Sequence, residues 1–432
     1  MKREIGVLER PPTVLGLLLS LQHLFAMFGA TVLVPNLLGV DPAVCLLMNG
    51  IGTLLYILIT KGKIPAYLGS SFAFIVPATA VITTQTTGGG YAAALGGFIA
   101  AGVIFTLVAI IIQFAGIGWI NVIFPPAAMG AIVLVIGLEL IPVAARMAGW
   151  ISPDTSKPWT PDPDLILLSI TTLLITVLGS VLLRGFLKII PILIGIVGGY
   201  AMAWLMGLDG STGEALSKAS WLQLPVFTTP VFEWSAILII IPAAFVVIAE
   251  HVGHLNVTSN IVKRDLSKDP GLHRSMLGNG VSTILSGFTG ATPNTTYGEN
   301  IGVLAITKVY STYVIGGAAV IAIVLSFMGK FSALVANIPL PVMGGVSLLL
   351  FGVIAASGLR MLVESGVDYS RPINLYLTTI VLVTGLSGAK IVIGDFSLSG
   401  MGLATVAAIV FSLLFKIFEV TGLSNEKEES GH

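Results

Sequence analysis

Two stretches decide how this chain folds: Pro65-Ala66-Tyr67-Leu68-Gly69-Ser70-Ser71-Phe72-Ala73-Phe74 and Thr292-Pro293-Asn294-Thr295-Thr296-Tyr297-Gly298-Glu299-Asn300-Ile301-Gly302. Each lies in a run apolar enough to enter a membrane, yet carries Gly, Ser, Thr or Pro where a spanning helix would carry Leu. Small residues, aromatics and hydroxyls in this mixture favour extended backbone ahead of a short helix. Extended backbone survives at membrane depth only where protein or a cavity satisfies its N–H and C=O groups. The two pieces are therefore expected to pair with one another. Their leftover N–H groups, beside half-helix N-termini, would face a ligand carrying carbonyl oxygens. Two ordinary helices kinked at glycine are the plainer alternative.

The rest of the chain supports a bilayer setting. Hydrophobic residues make up 55% and charged residues only 10% of 432, against roughly a quarter charged in ordinary soluble domains. Apolar stretches lie near 13–34, 42–60, 64–83, 91–114, 119–141, 164–183, 188–207, 232–255, 272–290, 294–307, 310–328, 335–358, 372–388 and 400–418. The two deciding stretches fall in the third and the tenth of these spans. Fourteen divides into seven plus seven, and an odd-numbered repeat used twice in series must insert in opposite orientations. Interrupted spans at matching positions of two halves point to a transporter's binding site.

Lys and Arg arbitrate the crossings, because they collect on the cytoplasmic side. With fourteen crossings and a cytoplasmic N-terminus, only Arg146, Lys157, Lys218, Lys330 and Lys390 of the 21 fall outside, leaving sixteen inside. If the third and tenth spans re-entered without crossing, six would move out and three in, a poorer thirteen against eight. Both termini are then cytoplasmic. No small-residue cleavage pattern follows the first span, which reads as retained. The segments near 146–163 and 208–231 read as polar surface connections, and the tail after Phe418 as solvated. Zero net charge invites no nucleic acid. Cys45, the single cysteine, excludes an intrachain disulfide and a thiolate metal cluster.

Few ionisable groups fall within spans, where by default they mark a pathway or site. They are Gln22 and His23 (with Gln counted for its polarity), Glu139, Glu250, His251, His254 and Glu299; Asn49, Asn279 and Asn300 add neutral polarity. Glu250 and His254, four apart, share a helix face and can hydrogen-bond or exchange a proton, while His251 turns about 100° away. A carboxylate kept from water at this depth is suited to taking and releasing a proton near neutrality, and histidine titrates in the same range. The structural alternatives are a buried Glu250–His254 pair, helix-gluing by Gln22-His23, and a structural or interfacial Glu139. A metal site at His251-x-x-His254 lacks the His-Glu-x-x-His order of zinc peptidases. No Lys or Arg lies in the apolar centre of any span. Two acids without a cation suit a small neutral polar solute that presents N–H donors, and a uracil-like ring has such an edge. Composition alone does not select it.

At these residues the chain resembles the nucleobase–ascorbate transporter (nucleobase–cation symporter 2) family, specifically its bacterial uracil-permease branch. The family signature stands as Glu299-Asn300-Ile301-Gly302-Val303-Leu304-Ala305-Ile306-Thr307-Lys308, and its Gln-His element as Gln22-His23. Similarity runs from Glu9-Arg10-Pro11-Pro12 to about Leu413. The resemblance implies an all-α polytopic membrane protein of the bacterial inner membrane, with two inverted seven-span repeats and short antiparallel strands in spans 3 and 10. It implies a core domain from 13–115 and 232–328, a gate domain from 118–208 and 335–418, a tail at 419–432, and a homodimer. Carried across, Glu250 and Glu299 would hydrogen-bond ring N–H groups. The amides of Phe72 and Gly298 would meet ring carbonyls, with the Phe72 and Tyr297 side chains beside the ring. His254 would support Glu250 in proton handling. Phe351 stands where close relatives carry Tyr. The expected activity is uracil import with protons, without covalent chemistry or a cofactor beyond the coupling proton. A xanthine or purine carrier of the same family, or an anion exchanger of the same fold, is the alternative.

Overall fold

The computed structural model describes residues 4–84, 90–153, 157–185, 187–210, 212–393 and 396–424. Residues 425–432 of the expected tail, and 154–156 of the first long connection, lie outside them. Fourteen membrane segments follow in order. Span 1 is Thr13–Leu38, span 2 Pro42–Ile59, span 4 Gly90–Ala115, span 5 Pro126–Met147, span 6 Pro163–Leu182 and span 7 Pro191–Leu205. In the second half come span 8 (Trp234–Val262), span 9 (Leu272–Thr289), span 11 (Thr312–Ser326), span 12 (Leu340–Glu364), span 13 (Pro372–Leu386) and span 14 (Gly400–Val420).

Spans 3 and 10 are broken. Span 3 runs as strand β1 (Leu68–Ser70), a 3-10 turn (Phe72–Phe74) and a helix (Ile75–Thr84); span 10 runs as strand β2 (Asn294–Thr296) and a helix (Gly298–Thr307). A ten-residue helix is about 15 Å long, half of the ~30 Å hydrocarbon layer, so strand and helix together make the crossing. The strands pair antiparallel, Leu68 opposite Thr296, Gly69 opposite Thr295 and Ser70 opposite Asn294. Ser71 N donates to Pro293 O and Tyr297 N to Tyr67 O, at 2.8 and 3.0 Å, extending the ladder at both ends. The buried backbone is thus satisfied by its symmetry mate, and the kinked-helix alternative is excluded.

Two threonines hold this ladder from behind. Thr53 Oγ1 accepts from Leu68 N (2.9 Å) and donates to Leu68 O (3.3 Å). Thr283 Oγ1 does the same at Asn294, accepting from N at 3.3 Å and donating to O at 3.1 Å. Both belong to one repeated pattern, Asn49-Gly50-Ile51-Gly52-Thr53 in span 2 and Asn279-Gly280-Val281-Ser282-Thr283 in span 9. Helix packing obeys the same two-fold relation. Span 4 packs on span 9 as span 11 packs on span 2, span 6 on span 12 as span 13 on span 5, and span 5 on span 12 across the relation itself.

Several boundaries differ from the sequence expectation, and spans 5 and 12 also end later than the expected 141 and 358, at Met147 and Glu364. Spans 5 and 12 begin at Pro126 and Leu340, not near 119 and 335, because prolines at 125, 126, 339 and 341 end one helix and start the next. The short helices Gly118–Ile123 and Gly329–Ala336 precede these breaks in both halves. Span 8 continues seven residues past the expected 255, to Val262. Its polar side chains ended the apolar run without ending the helix. The segment before span 1 also docks: Ile5 N donates to Lys308 O (3.0 Å), Tyr310 N to Ile5 O (2.9 Å) and Thr312 N to Val7 O (3.0 Å).

Two beta strands, β3 (Lys390–Ile393) and β4 (Phe396–Ser399), form a hairpin ahead of span 14. Glu139 of span 5 reaches the end of that hairpin, where its Oε2 accepts from Met401 N at 2.7 Å. The carboxylate thereby satisfies an otherwise unpaired amide in the first turn of span 14. Gly400 has φ +53°, and a Cβ there would strike the Glu139 carboxylate, so both the turn and the close approach require glycine. Glu139 is a cap, the structural role weighed for it from sequence.

Candidate functional site

Both repeats aim a helix N-terminus at one place. Four residues beyond clamped Leu68 comes Phe72, which opens the short turn of span 3; four beyond clamped Asn294 comes Gly298, which opens the helix of span 10. Phe72 and Gly298 are therefore repeat equivalents, held at the ends of paired strands. Helix N-termini present unpaired N–H groups and positive potential.

A cavity of about 520 Å³ lies in front of them. Phe72, Glu250, His254, Tyr297, Gly298 and Glu299 all line it. The structure brings these six residues, the ones the family resemblance assigns to substrate or proton, to one chamber. Both carboxylates come from the second repeat, Glu250 from span 8 and Glu299 from the first turn of the span 10 helix. Glu299 Oε1 is buried without a partner, and among the described residues neither acid is tied to another side chain by a hydrogen bond or ion pair. A free acceptor beside two helix N-termini can take an N–H group from a solute while the amides take its carbonyl oxygens.

His254 does not bond Glu250 here. Its Nδ1 lies 3.1 Å from Thr296 Oγ1 of β2, and its Nε2 edge lies against Gly298, 3.3 Å from where a Cβ would stand. His254 thus ties span 8 to span 10 directly behind the glycine. Tyr297 also differs from a ring turned toward a ligand. Its ring covers Gly69, where a Cβ would overlap it, and its hydroxyl donates to Ser70 O at 3.1 Å. Only 2% of Tyr297 is exposed, so the side chain braces the strand pair. Phe72 presents its ring to the cavity wall and meets Phe351 of span 12 edge to face, centroids 5.7 Å apart at 87°.

Of the remaining polar span residues, His23 and Asn300 act together. Asn300 Nδ2 donates to His23 O at 3.2 Å and lies 3.3 Å from His23 Nδ1. The pair glues span 1 to the helix carrying Glu299. His251 turns away from the cavity, as its position on the helix requires, toward Ser275 and Tyr56. Among the described residues no group of three or more His, Cys, Asp or Glu side chains is arranged to hold a metal ion.

Two basic residues of the cavity wall were missed by the sequence reading. Lys188, between spans 6 and 7, and Arg360, near the end of span 12, also line the chamber. Both stand on the face where most Lys and Arg collect, so the chamber runs from the two acids to the basic face. Each looked like an ordinary loop or helix-end charge, and nothing local marks it as cavity-lining.

Comparison with known proteins fits this geometry. The family model Xan_ur_permease, described as a permease family, matches residues 16–394. A uracil permease of Escherichia coli (strain K12) is 62% identical over 97% of this chain and 95% of the relative. Another, of Paenibacillus larvae subsp. larvae, is 60% identical over 98% and 99%, and one of Bacillus subtilis (strain 168) is 47% identical over 96% and 95%. Among solved structures, the transmembrane domain of the cyanobacterial bicarbonate transporter BicA superposes with a TM-score of 0.61 at 14% identity, covering 95% of this chain and 97% of that one. SLC26A9 gives 0.68 at 13% identity, covering 94% and 66%. At that identity the likeness shows a shared fold alone. With the signature at Glu299 to Lys308 on the helix that faces the cavity, and the family match spanning both repeats, this chain belongs to the nucleobase–ascorbate transporter family of permeases and is a multi-pass membrane transporter of a small molecule, not an enzyme.

Proposed function

We propose that this permease imports uracil together with at least one proton across the bacterial inner membrane, with both termini in the cytoplasm. The observation that carries the reading is the pair of untied carboxylates, Glu250 and Glu299, on one cavity beside the N-termini at Phe72 and Gly298. Uracil offers N–H groups to the acids and carbonyl oxygens to the amides. The names of the 60–62% identical relatives support the same solute.

The chamber reaches the face rich in Lys and Arg, which the positive-inside rule makes cytoplasmic. The conformation described is then inward-facing. Spans 1–4 and 8–11 would act as a core that carries the site, and spans 5–7 and 12–14 as a gate against which it moves. The permease would work as a homodimer. Glu250, Glu299 and His254 are the proton-handling groups, and no cofactor beyond the proton is needed.

Radiolabelled uracil uptake into proteoliposomes, with and without an imposed pH gradient, tests this. Accumulation driven by an acidic exterior is expected; uptake indifferent to the gradient defeats the coupling. Unlabelled xanthine competing better than unlabelled uracil would replace the substrate with a purine.

A further inference from the structure

We propose that two glycine seats in the core hold the inward-facing conformation. Ile192 of the gate occupies the seat at Gly29, Met361 occupies the one at Gly253, and the core moves when both seats empty. This rests on the proposed division into core and gate and on their relative movement.

Spans 1 and 8, the first spans of the two repeats, carry the core's contact with the gate. Span 1 packs on spans 7 and 12, and span 8 on spans 5 and 14. Gly29 lies in span 1 and Gly253 in span 8, and both are buried. A Cβ added to Gly29 would stand 2.5 Å from Ile192 Cγ2, and one added to Gly253 would overlap Met361 Cε. Among the described residues, no other glycine meets a side chain so closely across the seam between core and gate. Each repeat thus opens with a helix that offers the gate one seat.

Both seats border the chamber. Ile192 lines it. Gly253 stands three residues after Glu250 and one before His254, which line it too, and Met361 follows the chamber residue Arg360. Span 12 is not among the helices packed along span 8, so Met361 crosses the seam by its side chain. Only 6% of Met361 is exposed.

Close-packed surfaces settle into discrete arrangements instead of deforming smoothly. When the core slides, each glycine leaves its gate side chain and the seat empties. A methyl group added to the glycine competes with that side chain, so it penalises the seated arrangement and not the other. The two seats differ in tolerance. Methionine is unbranched and can turn its tip aside, whereas β-branched isoleucine is stiff. The Gly29 seat is therefore the stricter one.

The test is labelling of Val353→Cys by a membrane-impermeant maleimide added to inside-out vesicles. Val353 lies on the chamber wall and is 46% exposed, and the native Cys45 is buried. Gly29→Ala should slow labelling at least about fivefold, and Gly253→Ala about two- to fivefold. Ile192→Ala should restore the first and Met361→Ala the second to within about twofold, and neither should restore the other. If Gly29→Ala is unstable, Ile192→Ala alone, which empties the same seat, should also slow labelling. Wild-type labelling by the folded glycine variants, or slowing that the matching partner change does not relieve, would overturn the seats alone. Equal labelling of Val353→Cys from both sides of the membrane, with no other change in the chain, would overturn them together with the inward-facing reading beneath.

Discussion

Spans 3 and 10 are built alike and equipped differently. Each has a three-residue strand, a threonine clamp at its first residue, and a helix starting four residues later. In span 10 the residue after that start is Glu299, flanked by Asn300; in span 3 it is Ala73, flanked by Phe72 and Phe74. The scaffold is symmetric and the chemistry is not. Backbone shape comes from strand pairing and two threonines, whereas charge comes from one side chain that the other half lacks. Scaffold and chemistry should therefore fail separately.

The largest effect falls on the chemistry. Glu299→Ala should abolish accumulation and weaken uracil binding roughly tenfold to over a hundredfold, since a hydrogen bond to a charged group is worth about 1.5–3 kcal/mol. Glu250→Gln should also abolish accumulation while keeping a side chain able to touch the ring. Equilibrium binding and uptake, measured on the same preparations, separate the two. Wild-type binding by Glu299→Ala would remove it from the site and leave span 10 no different in kind from span 3.

Next come the clamps. Thr53→Val and Thr283→Val each strand a buried backbone N–H and C=O, at a cost of about 1–3 kcal/mol. Because the clamps are symmetric, thermal stability in detergent should fall by similar amounts in both. A loss confined to Thr283→Val would mean that the two clamps are not equivalent.

The sequence announced the asymmetry more readily than the symmetry. Glu250, His254 and Glu299 stood out because an ionisable residue within an apolar run is conspicuous. The broken spans stood out because Gly, Ser and Pro replaced Leu. The clamps were present as Asn-Gly-x-x-Thr in spans 2 and 9, but threonine in a membrane helix is too common to signal a tertiary bond. The partner of His254 could not be read either: helical spacing offers Glu250, and only the fold places Thr296 closer in effect. Tyr297 was assigned to a ligand for its position in the motif, while the space above Gly69 decides where its ring goes. The docking of Ile5 and Val7 went unseen because two apolar residues within a charged N-terminus carry no periodicity.

A smaller effect belongs to the apolar wall of span 3. Phe72→Ala removes its edge-to-face contact with Phe351, a pairing worth about 0.5–1.5 kcal/mol beyond area burial. Uracil affinity should fall roughly two- to tenfold, with uptake still driven by the pH gradient. Loss of pH dependence in this variant would give span 3 a share in proton handling and blur the division between the halves.

The smallest effect lies in the connection entering span 3. Lys63 Nζ meets Asp269 Oδ1 at 2.5 Å, linking the loop before β1 to the one before span 9. The entry to span 10 is held by a buried bond instead, Thr292 Oγ1 donating to Ser70 Oγ at 2.7 Å. The Lys63 ammonium beside Asp269 holds its carboxyl below the usual carboxylate range. A carboxylate whose folded pKa is depressed stabilises the protein above its unfolded value, near 3.9, and loses that contribution as pH falls through the folded one. From pH 5 to 8 the contribution is constant, and exposure to solvent keeps it slight. Lys63→Met should therefore lower the melting temperature barely and by the same amount at pH 5 and pH 8, whereas Thr292→Val should lower it clearly. A loss for Lys63→Met as large as that for Thr292→Val would mean that the ionic tie, not the buried ladder, holds β1 in place.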